Sequence, residues 1–149
     1  MDSNRKLDET RIFAAIQEAN ELDSLGKTEL AVQVLMPILG EFPEEPGVRI
    51  YLSLYLRCLG RYNEAIQHGQ HSVRLAPHAS FASAVLFQAL WDGGYRSDAI
   101  GEIRRFLPIR RSKKRTVYYE EVLRRWEAGD QDAADHVKVA FDTSADDPA

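Results

Sequence analysis

The chain has 149 residues, which is enough for one domain and short for two. Hydrophobic residues make up 44% of it and the net charge is −4, a composition typical of a globular protein that argues against a general nucleic-acid binder. The single cysteine, Cys58, excludes an internal disulfide. No apolar run reaches the roughly 18–20 residues of a membrane span, and no apolar signal core follows the polar N-terminus. We therefore expect a cytoplasmic protein without a membrane partner.

The spacing of apolar residues divides the chain into helical segments joined by short polar turns. Apolar residues recur at steps of three and four, as on one face of an α-helix, and no segment has the pattern of a strand. In chain order this predicts eight helices, at about 9–25, 28–40, 47–59, 62–75, 80–92, 96–107, 115–127 and 131–141. The predicted fold class is all-α.

A Gly-x-x-x-x-Ala pattern recurs four times at an almost constant spacing. The glycines are Gly26, Gly60, Gly94 and Gly129, separated by 34, 34 and 35 residues. Each falls between two predicted helices, where glycine can end a helix in a left-handed conformation without steric cost. The alanine that follows lets the two helices of a hairpin approach closely. Such a period is that of a helical repeat whose units stack into an array.

The repeated unit resembles the tetratricopeptide repeat (TPR) family. The closest match lies in the second repeat, in the helix-turn-helix stretch LGRYNEAI at 59–66 and the closing LAP at 75–77. The resemblance implies a right-handed α-solenoid forming one domain over residues 1–141, followed by a polar tail over 142–149. The repeats are placed at about 12–45, 46–79, 80–113 and 114–141.

Three residues depart from the family pattern. Pro37 and Pro108 lie inside the second helices of their repeats, where a proline removes a backbone donor and clashes with the preceding turn. We expect a kink or an early stop at each. Gly69 stands where the family has a large apolar residue, so we expect the second repeat to be loosened.

In TPR proteins the first helix of each repeat lines a concave face, and the resemblance implies which positions point into it. The implied groove residues are Ile50, Leu54, Arg57, Gln88, Trp91, Tyr119, Leu123 and Trp126; the same positions also include Phe13, Cys58 and Phe81. The two tryptophans occupy the same position of adjacent repeats and would anchor a partner segment if exposed. The alternative is that both pack between repeats.

A basic run marks the link between the third and fourth repeats. Its seven cations within twelve residues are Arg104, Arg105, Arg110, Arg111, Lys113, Lys114 and Arg115. Such a run can dock an acidic peptide, a phosphate or a nucleic acid. The alternative, which we favour, is a solvated charged link.

Three classes of function remain open. The first is a non-enzymatic adaptor or chaperone that holds a peptide or helix of another protein in the groove. The second is a homo-oligomeric scaffold, and the third is a binder of acidic partners or nucleic acid through the basic run. The negative net charge argues against nucleic acid. We expect no catalytic residues, no cofactor and no metal, and we interpret His68 and His71, three residues apart, as surface histidines.

Overall fold

Seven α-helices follow one another in the part of the chain that the structure, a computed structural model, describes, which is residues 2–137. Their bounds are α1 Asp2–Ser24, α2 Thr28–Glu41, α3 Pro46–Cys58, α4 Tyr62–Leu75, α5 Ser80–Asp92, α6 Arg96–Phe106 and α7 Lys113–Glu127. Two short 3₁₀ turns lie at Leu107–Ile109 and Ala133–His136. Residues 2–137 contain no strand, and the prediction of an all-α fold is confirmed.

The helices pair into hairpins that stack side by side. Helix α1 packs against α2, α3 against α4, and α5 against α6. Each later hairpin also contacts the one before it, because α3 packs on α2 and α5 packs on both α3 and α4. One continuous hydrophobic core runs through this stack. The arrangement is the predicted solenoid of helical hairpins.

The four repeated glycines occupy equivalent turns. Gly26, Gly60, Gly94 and Gly129 have positive φ angles of 77°, 76°, 91° and 97°. In each turn the amide after the glycine donates to the carbonyl five residues earlier, at 2.8–3.0 Å. This bond closes the helix end and requires the left-handed conformation that glycine adopts without strain. The turn chemistry predicted from the sequence is confirmed at all four positions.

The two internal prolines have different effects. Helix α6 ends at Phe106 and passes into the 3₁₀ turn that contains Pro108, so the predicted early stop occurs there. Helix α2 instead continues through Pro37 to Glu41. Gln33, whose carbonyl loses its donor to the proline, lies on an exposed part of the helix. Water can therefore satisfy that carbonyl, and the helix does not stop.

Gly69 tightens the second repeat, and the expectation of a loosened repeat was wrong. A Cβ at this buried position would lie 3.1 Å from the Leu86 Cα and 3.2 Å from the Ser53 Oγ. The hydroxyl of Ser53 in turn donates to the Ala65 carbonyl at 2.8 Å. Small residues thus let the backbones of α4 and α5 approach more closely than the family's usual large residue would allow.

The predicted eighth helix differs from the structure. Within the predicted range 131–141, residues Ala133–His136 form a 3₁₀ turn rather than an α-helix. The rest of that range beyond Val137, and the predicted polar tail over 142–149, lie outside the described residues. The second element of the fourth repeat is therefore much shorter than in the preceding repeats as far as it is described.

Candidate functional site

The eight predicted groove residues separate into a buried set and an accessible set. The buried set comprises Ile50, Gln88, Trp91 and Tyr119, each no more than 7% exposed. The partly accessible set comprises Leu54, Arg57, Leu123 and Trp126. Half of the residues implied by the resemblance therefore do not line an open groove.

Four buried aromatic residues and the partly accessible Trp126 form a cluster between α5 and α7, which we call the junction cluster: Phe87, Trp91, Tyr118, Tyr119 and Trp126. The Trp91 and Trp126 rings meet edge to face, with centroids 6.0 Å apart. Phe87 lies between them and the tyrosines, 6.0 Å from Trp91 and 5.4 Å from Tyr119. The interpretation of Trp91 as an exposed anchor was wrong, and Tyr119, which the resemblance implies to line the groove, is buried as well. The alternative, packing between repeats, describes Trp91, which is 3% exposed.

The junction cluster is also tied together by polar contacts. The Tyr119 and Ser83 hydroxyls lie 2.8 Å apart across the interface of α5 and α7. Burial raises the pKa of the Tyr119 phenol above its usual range and raises the pKa of Tyr118 to about 12. Both phenols are therefore held neutral in the folded chain. The cluster joins α5 to α7 by packing and by this hydroxyl contact.

The 3₁₀ turn at Ala133–His136 covers the outer edge of Trp91. The indole Nε1 donates to the Asp135 carboxylate at 2.9 Å. The Arg96 guanidinium stacks over the same ring, 4.6 Å from its centroid, and pairs with the Asp132 carboxylate at 2.5 Å. The sequence analysis did not predict these contacts of Arg96 and Asp135 with Trp91. The aspartates after Gly129 were a visible signal, but their partner on α6 lies more than thirty residues away.

One accessible part of the first helices lies on α1 and α3, and we call it the α1–α3 face. On α3 it comprises Gly47, Tyr51, Leu54 and Cys58, whose spacing places them on one side of the helix. On α1 it comprises Phe13, which is 62% exposed. The two helices are joined beside this face, because the Tyr55 hydroxyl donates to the Asn20 side-chain oxygen. Phe13 is one of the positions that the TPR resemblance implies for the concave face.

The α1–α3 face has an aromatic end and a charged end. Tyr51 meets Phe81 of α5 edge to face, with ring centroids 5.4 Å apart. At the other end of α3, Arg57 pairs with Asp92 of α5 at 2.9 Å, and both side chains keep some exposure. Between these ends Leu54 is only partly covered. The face thus combines apolar area with polar groups at its rim, as protein-binding surfaces do.

The basic run does not form one cationic surface. Arg104 pairs with Glu127, Arg105 with Glu102 and Arg110 with Glu120. Arg115 is buried, and its guanidinium stacks 5.3 Å from the ring centroids of both Tyr118 and Tyr119. Arg111, Lys113 and Lys114 lie around the start of α7. The hypothesis of a single seven-residue patch was wrong, because its members belong to separate local environments.

The two predicted surface histidines lie on α4 and are both partly buried. The Arg49 guanidinium lies 3.4 Å from the His68 Nδ1. Burial, and to a smaller extent Arg49, lower the pKa of His68, so this ring is neutral and accepts the bond at physiological pH. Among residues 2–137 no group of three His, Cys, Asp or Glu side chains is placed to hold a metal ion.

None of the helices within the described residues combines the length and the apolar character that crossing a bilayer requires.

Comparison with known proteins gives a fold likeness and nothing closer. No model of a protein family matches the chain, and no curated protein matches it. Among the solved structures that match is a mutant O-GlcNAc transferase from Thermobaculum terrenum, with a TM-score of 0.66 and 20% sequence identity. The match covers 78% of this chain and 22% of that one. At this identity the likeness shows the fold, a TPR-like solenoid. This chain spans only about a fifth of the length of the protein that it resembles.

Proposed function

We propose that this chain is a non-enzymatic protein-interaction module, an adaptor or a chaperone, that binds a segment of another protein on the α1–α3 face. The solenoid fold supports this, because stacked hairpins expose long helix faces rather than an enclosed cleft. The observation that carries the proposal is the accessible stripe of Gly47, Tyr51, Leu54 and Cys58 on α3, with the exposed Phe13 beside it.

The position of Phe13 supports a binding role. Its ring is 62% exposed although it lies one turn before Ile16, which approaches Gly47 of α3 and packs against the core. Fully burying an aromatic ring of this kind contributes on the order of 1.5–3 kcal/mol of favourable free energy to binding. A partner segment that covers Phe13 would recover that free energy.

The rim of the face favours a segment with hydrogen-bonding groups on its flanks. The Arg57 guanidinium already holds Asp92 and is still 21% exposed. An arginine at the edge of an apolar patch can donate to backbone carbonyls of a bound peptide while keeping its carboxylate partner. We therefore propose an extended or helical segment with one or two apolar anchors as the occupant.

The test is a selection followed by matched variants. A random 12-residue peptide library displayed on phage is selected against the full chain, and the affinity of the recovered peptides is measured by calorimetry. We expect Leu54→Glu to weaken binding by at least roughly 2 kcal/mol, as for an interface hot spot. Met36→Glu is the control, because Met36 is an exposed apolar residue on α2, away from the face.

Circular dichroism shows whether both variants keep their helices. Peptides that lose affinity for Leu54→Glu but not for Met36→Glu support the proposal. It is contradicted by a library that yields no binder, or by binders that respond equally to both substitutions.

A further inference from the structure

A group of basic side chains lies where the start of α3 meets α4. Arg49 is on α3, and His68, His71 and Arg74 follow one another at three-residue steps on α4, which makes successive members neighbours on the helix surface. The two helices are joined here, because the Arg49 guanidinium lies 3.4 Å from the His68 Nδ1. We call these four residues the α3–α4 basic group.

Neither arginine of this group forms an ion pair with a carboxylate of the described residues. Arg49 donates through Nε to the Pro43 carbonyl at 3.1 Å, which is a neutral partner. Arg74 is exposed in the last turn of α4 and has no carboxylate partner. By contrast, Arg61 before the same helix pairs with Glu64 at 2.8 Å. Two guanidinium groups at one place are therefore left able to bind another anion.

One exposed carboxylate, that of Glu44 in the link before α3, lies near the group. Burial most strongly, and also the charge of Arg74, lower the pKa of Arg49, while Glu44 acts in the opposite direction. Burial, and then the charges of Arg49 and Arg74, likewise lower the pKa of His71, and Glu44 again opposes them. These side chains are thus close enough to feel one another's charge. Two guanidinium groups face one carboxylate, so the place is positive at neutral pH.

The neutral ring of His68 adds a hydrogen-bond donor. Burial, and then Arg49, lower the pKa of His68 against the opposing effect of Glu64, so the ring is uncharged at neutral pH. A guanidinium only donates, so the His68 Nδ1 accepts from Arg49 and the ring proton is on Nε2. This Nε2–H has no partner among residues 2–137. The bond from Arg49 therefore fixes the tautomer that presents a donor.

We infer that the α3–α4 basic group binds a phosphate group. The guanidinium groups of Arg49 and Arg74 donate to phosphate oxygens, as arginine pairs commonly do, and the His68 Nε2–H donates to a further oxygen. A phosphate group carries about −1.5 to −2 charge at neutral pH. Because two arginines outweigh Glu44 here, this anion is attracted more strongly than a singly charged carboxylate.

The phosphate site is separate from the α1–α3 face. Arg49 lies two residues from both Gly47 and Tyr51, which places it on the opposite side of α3. Helix α5, which packs on both α3 and α4, adds no opposing charge, because its single charged residue, Asp92, pairs with Arg57 at 2.9 Å. Phosphate binding here therefore does not require the proposed function.

Two phosphate probes are titrated into the full isotopically labelled chain and followed by NMR. They are inorganic phosphate and an acetylated and amidated Gly-phosphoserine-Gly peptide, and the same peptide without phosphate is the control. We expect both phosphate probes to shift the imidazole resonances of His68 and His71, and the control peptide to shift neither. Tighter binding of the peptide identifies a phosphorylated side chain as the source of the phosphate, and tighter binding of inorganic phosphate identifies the free anion.

Two substitutions of opposite charge effect give a result that a merely structural role would not. Arg74→Gln removes an exposed guanidinium and should weaken phosphate binding roughly tenfold, as for one hydrogen bond to a charged group. Glu44→Gln removes the opposing carboxylate and should strengthen binding roughly two- to threefold. The control is Arg124→Gln on α7, whose guanidinium pairs with Glu121, and it should leave phosphate binding unchanged. Circular dichroism checks that each variant keeps its helices.

Unshifted imidazoles of His68 and His71 at millimolar phosphate, equal effects of Arg74→Gln and Arg124→Gln, or equal shifts with the unphosphorylated peptide would overturn the inference. None of these measurements involves Leu54, so failure here leaves the proposal for the α1–α3 face standing, and failure there leaves this one.

Discussion

The junction between the second and third hairpins is built from small residues, whereas that between α5 and α7 is built from large aromatic ones. At the first, Gly69 leaves space for the backbone at Leu86. At the second, Phe87, Trp91 and Tyr119 fill the gap. Where the backbones are close, the α3 stripe stays partly accessible. Where they are bridged by aromatics, the groove positions Trp91 and Tyr119 are buried by packing.

The largest expected effect comes from removing the centre of the aromatic junction. Phe87→Ala deletes a fully buried ring that contacts three other aromatics, and should lower the free energy of unfolding by about 3–5 kcal/mol. Urea denaturation measures this. Phe13→Ala, at an exposed ring, should change stability by less than about 0.5 kcal/mol. Similar losses for both variants would show that Phe87 is not the centre of the joint.

The close packing of α4 against α5 at Gly69 should instead be disrupted by a larger side chain. Gly69→Leu forces a side chain against the backbone at Leu86 and against Ser53, and we expect a loss of about 1–3 kcal/mol in unfolding free energy. Gly101→Ala is the matched control, because a Cβ there meets nothing within 4 Å. In a helix that change should stabilise by about 0.5–1 kcal/mol. A neutral Gly69→Leu would mean that α4 and α5 are not closely packed.

The smallest effect is one of pH, and it reports the burial of one phenol of the junction cluster. Burial raises the pKa of Tyr118 from 10.0 to about 12, so folding favours the neutral phenol. The stability from this group is present below pH 10 and is lost as the pH rises toward 12. Chemical denaturation across this range should show a steeper alkaline loss for the wild type than for Tyr118→Phe. Identical slopes would contradict the burial of this phenol.

The turns of the fold could be predicted from the sequence, but whether each helix face is exposed or buried against a neighbour could not. The conformation of Gly26 and its three equivalents could be predicted locally, because a glycine that recurs between two helical patterns is typical of a left-handed helix end. Whether Trp91 points into a groove or into a neighbour depends on how far away α7 lies. That distance depends on contacts between residues far apart in sequence, such as Ser83 and Tyr119, which no local pattern reports.

Charge runs have the same limitation. The basic run is continuous in sequence, yet Arg115 is buried on two tyrosines while Arg104 pairs with Glu127. Each cation's partner comes from another part of the chain, so the run alone could not show which residues remain available.

Hydrogen–deuterium exchange of the full chain, with and without a peptide recovered by the library selection, tests the central claim most directly. We predict slower exchange, caused by the peptide, in α1 and α3, with α4 and α6 unchanged. Protection confined to the outer surface of α4 and α6, or the absence of any protected segment with the peptide bound, would contradict the assignment of the α1–α3 face as the binding surface.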